Sequence, residues 1–293
     1  MLISLIIPTR DRSVRLRASL DHIRRLDMPA DRWELILVDN GSRDDTPEVI
    51  REFQASAGFR VISVREPRRG SGRAKNAALV RATGGLCVFT DDDCYVGQDF
   101  LREMLRAFET DDIGYLGGRV LLHDPKDAAL TIQKALEPQL IEPRSFVPMG
   151  LIHGANMAAL RTTLDAVGGF DPLFGAGAPF SGDDVDFVAR ASWSGFKGKY
   201  DPGPLVWHHH GRKPGADALA RLKQYDRGRG AYYMKCMLSS GAARALYGRR
   251  WYWAVRSRLR DGDVAVSARE IGGAARYLLS RGRKRLSTRQ PSD

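Results

Sequence analysis

The chain has 293 residues, of which 43% are hydrophobic, so it can bury a full core as one large α/β domain or two smaller ones. This composition excludes a disordered chain, and no stretch reaches the ~20 uncharged apolar residues of a membrane-spanning helix. The three cysteines, Cys87, Cys94 and Cys236, form neither a disulfide framework nor a zinc-site spacing, which favours a reducing compartment. We therefore expect a cytoplasmic protein.

The formal net charge of +11 is concentrated in the last fifth of the chain. Between Arg244 and Arg289 there are 13 arginine or lysine residues against three acidic ones. Such a segment either faces an anionic partner or is a solvated tail.

The first half of the chain alternates predicted strands and helices. The apolar run at 3–7 indicates a first strand instead of a signal peptide. Further strands are predicted at 34–38, 60–64 and 86–89, with helices at 13–26, from Thr46, at 73–82 and at 98–109. Strands that alternate with helices imply right-handed βαβ units and a parallel sheet.

Acidic residues follow three of these strands, at the edge where open α/β sheets bind ligands. We expect Asp39 to accept a base N–H, Asp91 to accept ribose hydroxyls, and Asp93 to take the metal and diphosphate. The glycine-rich turn at 69–72 and Lys75 would approach phosphate from the other side. The alternative for the 91–93 triplet is a solvated acidic turn that caps the next helix. The candidate residues in and around these strand ends are Pro8, Thr9, Arg10, Asp11, Asp39, Gly41, Lys75, Asp91, Asp92 and Asp93.

The second half is less regular, with a strand predicted at 115–122 and a helix at 128–140. A helix should also start near Ser181 and end before Gly195. Ser181 and Asp184 have the spacing of a capping box, but the three acids in that first turn exceed what capping needs. This excess favours a catalytic carboxylate, Asp183 or Asp184.

Three consecutive histidines, residues 208–210, follow a predicted short strand. A lone histidine is usually a satisfied structural group, whereas three together beyond a strand end favour metal ligation or phosphate contact.

From residue 216 onward the sequence predicts three helices rich in arginine, tryptophan and tyrosine, at 218–238, 241–259 and 264–280. In the middle helix, aromatic residues at 251–253 lie beside several arginines. Such a helix can lie on an anionic membrane surface, or it can pack on the domain with a solvated basic face.

Several of these motifs, in order, resemble family 2 glycosyltransferases of the GT-A fold. The resemblance covers residues 1 to about 212. It is carried by Ile6–Arg12, the Val38–Ser42 turn, Ala74–Ala77, Phe89–Asp93, Gly154–Met157, Gly168–Asp171 and Gly182–Asp186.

The resemblance implies a mostly parallel α/β sheet flanked by helices. A Rossmann-like nucleotide-sugar-binding half at 1–95 and an acceptor half at 96–215 would form the catalytic domain, and 216–293 a basic helical extension. It also implies that Pro8, Thr9 and Asp11 line the nucleotide and that Asp39 binds the base. The triplet Asp91–Asp93 would be the Asp-x-Asp element for ribose, diphosphate and Mn²⁺ or Mg²⁺.

For the acceptor half, the resemblance implies that Asp184 is the general base, with Asp183 as the alternative because the family usually has Glu-Asp there. It implies a histidine near the metal or diphosphate, for which we predict His208 first and His210 second. The expected function is inverting transfer of a sugar from a nucleoside diphosphate, UDP by preference, to a glycan or lipid-linked acceptor. The expected place is the cytoplasm, peripherally at the inner face of the membrane.

Two other functions are weighed against this one. A nucleotidyltransferase would carry a glycine-rich basic loop after its first strand, where this chain has Pro8–Asp11. A non-catalytic basic protein that binds membrane or nucleic acid would explain the C-terminal charge but would leave the carboxylates unexplained. Because those carboxylates would repel nucleic acid, no nucleic-acid partner is expected.

Overall fold

The computed structural model describes the backbone of residues 1–287 and the side chains of residues 1–281. The last six residues of the predicted extension, Arg289 among them, lie outside the described part. The chain forms two compact units, the first comprising residues 1–178 and 183–214 and the second 179–182 and 215 onward. The predicted domain boundaries at 95/96 and 215/216 stay predictions.

The first unit begins with the predicted alternation of strands and helices. Its elements are β1 (Ile3–Thr9), α1 (Ser13–Ile23), β2 (Trp33–Asp39), α2 (Thr46–Ser56), β3 (Val61–Arg65), α3 (Ser71–Leu79), β4 (Leu86–Phe89), β5 (Cys94–Val96), α4 (Phe100–Thr110), β6 (Tyr115–Leu122), β7 (Gln139–Ile141), β8 (Met157–Leu160), α5 (Arg161–Val167), α6 (Asp183–Trp193) and β9 (Gly198–His208).

These strands form one mixed sheet in the order β3-β2-β1-β4-β8-β6-β9-β5, with β7 paired to β9. The four strands β3, β2, β1 and β4 are parallel, as predicted, whereas β8 runs antiparallel to both β4 and β6. In the β1–β2–β3 register Thr9 lies beside Asp39, and Asp39 beside Arg65. The strand ends that carry the candidate residues therefore meet at one edge of the sheet.

A hydrophobic core holds this edge in place. Strands β1 and β2 are buried almost along their whole length, as expected for central parallel strands covered by helices. Helix α1 buries Leu16, Leu20 and Ile23, which recur at intervals of four and three residues on one helix face and join the same apolar cluster.

The predicted helix at 128–140 is wrong. This segment is irregular and ends in the short strand β7. Its backbone N–H groups bond to distant carbonyls instead of those four residues back: Ala128 donates to Arg212 and Gln133 donates to Val120. Because these partners lie far away in the sequence, the local apolar pattern could not indicate them.

The second unit contains the three predicted helices, α7 (Ala216–Met237), α8 (Gly241–Arg260) and α9 (Val264–Ser287). Glycines bring α7 and α9 close together, because a Cβ at Gly230 would overlap the Glu270 carbonyl and one at Gly273 would overlap that of Arg227. The fully buried carboxylate of Glu270 accepts hydrogen bonds from three residues, Arg229, Trp251 and Arg258. Part of the basic, aromatic character of this unit therefore serves its own packing.

Among the described residues, no helix combines the length and the apolar composition that crossing a bilayer requires.

Candidate active site

The acidic triplet forms the turn between β4 and β5, where residues from the end of β1 contact it. Thr9 Oγ1 donates a hydrogen bond to Asp92 Oδ2 over 2.7 Å. The Arg12 guanidinium donates to Asp92 Oδ1 at 3.1 Å and forms a close ion pair with Asp93. Since β1 and β4 are adjacent parallel strands, their carboxyl ends bring these residues together.

Four side chains beside this turn can hold a metal ion. Ligand atoms of Asp91, Asp93, Cys94 and His208 all lie within 4.8 Å of one another. His208 ends β9 and pairs with Cys94 of β5, and its Nε2 lies 3.3 Å from Asp93 Oδ1. Two carboxylates and an imidazole suit a hard or borderline divalent cation such as Mg²⁺ or Mn²⁺. The residues present therefore fit the expected metal.

Burial and the nearby charges shift the pKa values of these carboxyl groups. Burial, together with the charge of Asp93, raises the pKa of Asp92 to about 7 despite the nearby Arg12, and burial and Asp93 also raise the pKa of Asp91. Burial alone would raise the pKa of Asp93, but the hydrogen bond and charge of His208, with Arg12, hold that pKa well below its usual range. Asp91 and Asp92 therefore ionise less readily than Asp93.

The second candidate histidine packs against His208, with ring centres 5.0 Å apart, but it is not one of the four side chains of this group. His210 Nε2 is 3.1 Å from the Ala128 carbonyl, and its Nδ1 accepts the backbone N–H of Arg212 at 2.9 Å. Both ring nitrogens are thus engaged by the loop around Ala128 and Asp127. Of the two histidines, His208 is the one that the structure brings to the carboxylates.

The base-binding candidate Asp39 is nearly buried at the end of β2, and its Oδ1 accepts the Ser42 N–H at 2.8 Å. The turn between them needs Gly41, which has φ +75° and whose Cβ would lie 3.0 Å from the Pro67 carbonyl. Asp11, at φ +52°, accepts the N–H of Arg43 at 2.7 Å. These bonds fix the turns that follow β1 and β2.

The remaining predicted nucleotide contacts border the same turns. Pro8 is half-buried in β1 beside Val38 of β2. Arg10 Nη1 donates to the Asn40 carbonyl at 2.9 Å, and its Nε lies 3.3 Å from Asp11.

Lys75 is buried and faces a carboxylate. Its Nζ donates to Asp183 Oδ2 at 2.8 Å, and the same oxygen accepts from Ser71 Oγ at 3.0 Å. Burial alone would raise the pKa of Asp183, but the charge and hydrogen bond of Lys75, with Ser71, lower it. The Lys75 ammonium thus already has an anionic partner in Asp183. Its predicted contact with phosphate stays a prediction.

Asp184 has different partners. Its Oδ2 accepts the N–H of Gly154 at 2.9 Å, and its Oδ1 accepts the N–H of Val185 at 2.8 Å. Within the described residues no cation lies within ion-pair distance of it. Ser181, its predicted capping partner, donates instead to the Gln224 carbonyl. Asp184 is therefore a partly exposed carboxylate without a paired cation.

Two residues of the site were not predicted as such from the sequence. Arg12 contacts two acids of the triplet, and its signal in the sequence was a cation next to Asp11 at the end of the Ile6–Arg12 motif. Cys94 directly follows the triplet, but only the β5–β9 pairing shows that it lies opposite His208.

Comparison with known proteins identifies the family. The model of the family described as "Glycosyl transferase family 2" matches residues 4–163, more than half of the chain. The chain belongs to glycosyl transferase family 2. This membership confirms the resemblance noted from the motifs and favours a glycosyltransferase over a nucleotidyltransferase.

Curated relatives include two named glycosyltransferases. Glycosyltransferase AglE of Haloferax volcanii is 23% identical over 194 residues, which is 66% of this chain and 62% of AglE. Poly(ribitol-phosphate) β-N-acetylglucosaminyltransferase TarS of Staphylococcus aureus is 26% identical over 103 residues, 35% of this chain and 18% of TarS. The chain thus spans less than two thirds of the length of either relative.

Solved structures share the fold. Mannosyltransferase PcManGT from Pyrobaculum calidifontis, in complex with GDP-Man and Mn²⁺, matches with a TM-score of 0.67 at 21% identity, covering 96% of this chain and 79% of that one. TarS residues 1–349 match with a TM-score of 0.62 at 14% identity, covering 97% and 92%. The predicted GT-A fold is confirmed.

Proposed function

We propose that the protein is an inverting, metal-dependent glycosyltransferase that moves a sugar from a nucleoside diphosphate to a hydroxyl group. One observation supports the proposal above all. The candidate metal ligands Asp91, Asp93 and His208 lie at strand ends, whereas the unpaired carboxylate Asp184 lies at the start of helix α6. Two such groups can act on the leaving diphosphate and on the attacking hydroxyl. A single displacement with no enzyme nucleophile inverts the anomeric carbon.

The proposed cation is Mn²⁺ or Mg²⁺, held by Asp93 and His208 with Asp91. When bound, it acts as a Lewis acid on the leaving diphosphate, a contribution of several kcal/mol. The position of His208 supports this assignment, because its Nε2 lies 3.3 Å from Asp93 Oδ1 and both side chains are grouped with Asp91. Arg12 also supplies a fixed positive charge where the diphosphate would lie.

The nucleotide is proposed to lie along the strand ends, with its base at Asp39 and its ribose at Asp91. Pro8, Thr9, Arg10, Asp11 and Gly41 would line it. UDP is the proposed nucleotide. Because PcManGT was solved with GDP-Man and TarS with UDP-GlcNAc, both bases belong in any test.

Asp184 is the proposed general base for the acceptor hydroxyl, a role typically worth ~10²–10⁴-fold in rate. Its neighbour Asp183 fits the role less well, because Lys75 and Ser71 occupy one of its oxygens and lower its pKa. Backbone N–H bonds from Gly154 and Val185 hold Asp184 in one orientation but leave lone pairs for the acceptor.

The proposed acceptor is a glycan or lipid-linked glycan, and the proposed place of action is the cytoplasmic face of an anionic membrane. The charge of the C-terminal fifth supports this location, with 13 basic residues against three acidic ones between Arg244 and Arg289.

A thermal-shift experiment tests donor and metal together. UDP-glucose, UDP-GlcNAc and GDP-mannose are each added with and without Mn²⁺ to the wild type, Asp93→Asn and Asp112→Asn. One donor at ~100 times its Kd should stabilise the wild type by about 2.7 kcal/mol, only with Mn²⁺. Asp112→Asn, an exposed carboxylate of the same unit, should respond like the wild type, and Asp93→Asn should lose the shift.

Equal shifts in Asp93→Asn and the wild type would remove the metal assignment. The absence of any donor shift in the wild type with Mn²⁺ would contradict the proposed function.

A further inference from the structure

Helix α9 has one buried face and, opposite to it, one exposed face. Its inner face, including Glu270, Ala274 and Tyr277, is buried, and Gly273 packs tightly against α7. On the other side, apolar residues recur at steps of four and three residues, which places them on one helix face. We call this the outer face of α9; its exposed members are Val264, Ala268, Ile271, Gly272, Ala275, Leu278 and Leu279.

These seven residues are uncharged and extend over four helical turns, and the exposed Arg276 borders them. Its large side chains are about half exposed or more, from 44% at Leu278 to 71% at Leu279. A soluble helix normally places polar residues on such a face. An exposed apolar strip of this length indicates an interaction site for another molecule or for a membrane.

Helix α8 adds aromatic and basic groups of the kind found at membrane interfaces. Tyr252 and Trp253 are more than half exposed, and the Arg256 guanidinium lies 5.2 Å from the centre of the Trp253 ring. Arg249, Arg256 and Arg260 are exposed, and none is ion-paired within the described part of the chain. The three aromatic residues do not share one face, however. Trp251 donates a hydrogen bond from its Nε1 to the buried Glu270, whereas Tyr252 and Trp253 are exposed.

The positive charge of the C-terminal segment distinguishes between the partners that could cover this surface. A second copy of the chain would bring two strongly basic segments together, which repel each other. Nucleic acid would satisfy the arginines but would leave the uncharged outer face exposed to water. An anionic lipid surface satisfies both features, because it accepts apolar side chains beneath a layer of negative charge.

We propose that the outer face of α9, with Tyr252, Trp253 and the arginines of α8, docks on an anionic membrane surface. The proposal deepens the proposed function by naming the surface that would bring the enzyme to a lipid-linked acceptor, and it rests on that function only for the acceptor. The docking is peripheral, with the helix lying in the plane of the interface.

Vesicle flotation of the full chain tests the proposal. Vesicles of phosphatidylcholine alone are compared with vesicles containing about one third phosphatidylglycerol. The wild type should float with the anionic vesicles. Ile271→Asp combined with Leu279→Asp should weaken binding at least ~100-fold, about tenfold for each buried side chain lost. Val80→Asp, at an exposed valine of the first unit, is the matched control and should float like the wild type.

A second pair of variants separates the apolar from the charged contribution. Ile271→Ser combined with Leu279→Ser removes apolar area without adding charge, and it serves if the aspartate variant does not fold. Replacing Arg249, Arg256 and Arg260 with glutamine should weaken binding to anionic vesicles by about fivefold per residue. Thermal melting of each variant checks that the helices remain folded.

The proposal fails if the wild type does not float, if it floats equally well with neutral vesicles, or if folded outer-face variants float like the wild type. It also fails if sedimentation shows a wild-type dimer that those variants lose, since a second copy would then cover the face. Flotation needs neither donor nor Mn²⁺. A failed donor-binding test therefore contradicts the proposed function and leaves the docking result unchanged.

Discussion

The chemical difference between Asp183 and Asp184 comes from their partners. Lys75 and Ser71 both donate hydrogen bonds to Asp183. These bonds stabilise the ionised form of Asp183 and make it a weak base. Asp184 accepts only backbone N–H bonds among the contacts of the described chain. Two adjacent carboxylates can therefore have separate roles, one positioning and one catalytic.

Asp184→Asn should retain donor binding and lose transfer by about 10²–10⁴-fold, because the amide cannot take the acceptor proton. Calorimetric donor affinity and kcat, measured on the same preparation, check this. Ser71→Ala is a milder control that removes one hydrogen bond to Asp183 and should keep most activity. Near-normal turnover of Asp184→Asn would move the base elsewhere.

Cys94 gives the cation site an unusual neighbour. Its sulfur lies among the candidate ligand atoms, and thiolates prefer soft ions such as Cd²⁺. We expect the wild type to bind Cd²⁺ at least about tenfold more tightly than Cys94→Ser, with a sulfur-to-cadmium absorption band that the variant lacks. Cys87→Ser, another fully buried thiol, is the matched control. Equal Cd²⁺ affinity in wild type and Cys94→Ser would show that the thiol does not reach the ion.

At the scale of elements, the Lys75–Asp183 ion pair joins α3 to α6. Both side chains are almost fully buried, so removing one leaves the other charge without compensation. This pair therefore links a helix of the predicted nucleotide-binding half to a helix of the predicted acceptor half.

Lys75→Met should destabilise the protein by about 3–5 kcal/mol at neutral pH. Burial alone would lower the pKa of Lys75, but Asp183 and Asp91 raise it, and Lys75 in turn lowers that of Asp183. The contribution of the pair is therefore complete between about pH 4 and pH 10. It is lost as pH falls through the lowered pKa of Asp183 or rises through the raised pKa of Lys75.

Denaturant unfolding of wild type and variant across this range measures the difference. Asp183→Asn and the double variant complete a double-mutant cycle, which isolates the coupling between the two side chains. A difference that stays constant down to the acid end would contradict the assignment.

At the scale of the whole molecule, the chain contains two units that are stabilised in different ways. The first unit relies on a mixed sheet with buried strands, whereas the second relies on close helix contact at glycines and on the buried charges around Glu270. Truncation at residue 244 would remove α8 and α9 and expose the inner face of α7. Point variants on α9 are therefore sharper probes of the second unit than deletion.

Two adjacent glycines of α9 test this packing. Gly273→Ala should destabilise the second unit by about 1–3 kcal/mol or more, because its Cβ would overlap the Arg227 carbonyl. Gly272→Ala meets nothing within 4 Å and should stabilise the helix by up to about 1 kcal/mol. Thermal melting compares the two, and equal Tm values would show that the α7–α9 contact is not tight.

The sequence by itself determined the alternation of strands and helices from β1 to β4 and the set of polar residues at the strand ends, but it did not indicate the short strand β5. Both follow from local patterns, since apolar periodicity marks the element and parallel strands end at a common edge. The same periodicity predicted the three C-terminal helices, although α9 continues seven residues beyond its predicted end. It failed at 128–140, where the backbone partners lie far away in the sequence.

Only the tertiary structure decided which candidate side chains meet. It brought His208 and not His210 to the carboxylates, paired Lys75 with Asp183, and placed Arg12 on the acidic triplet. It also separated the inner and outer faces of α9. Each of these outcomes depends on contacts between residues far apart in sequence, and spacing along the chain carries no information about such contacts.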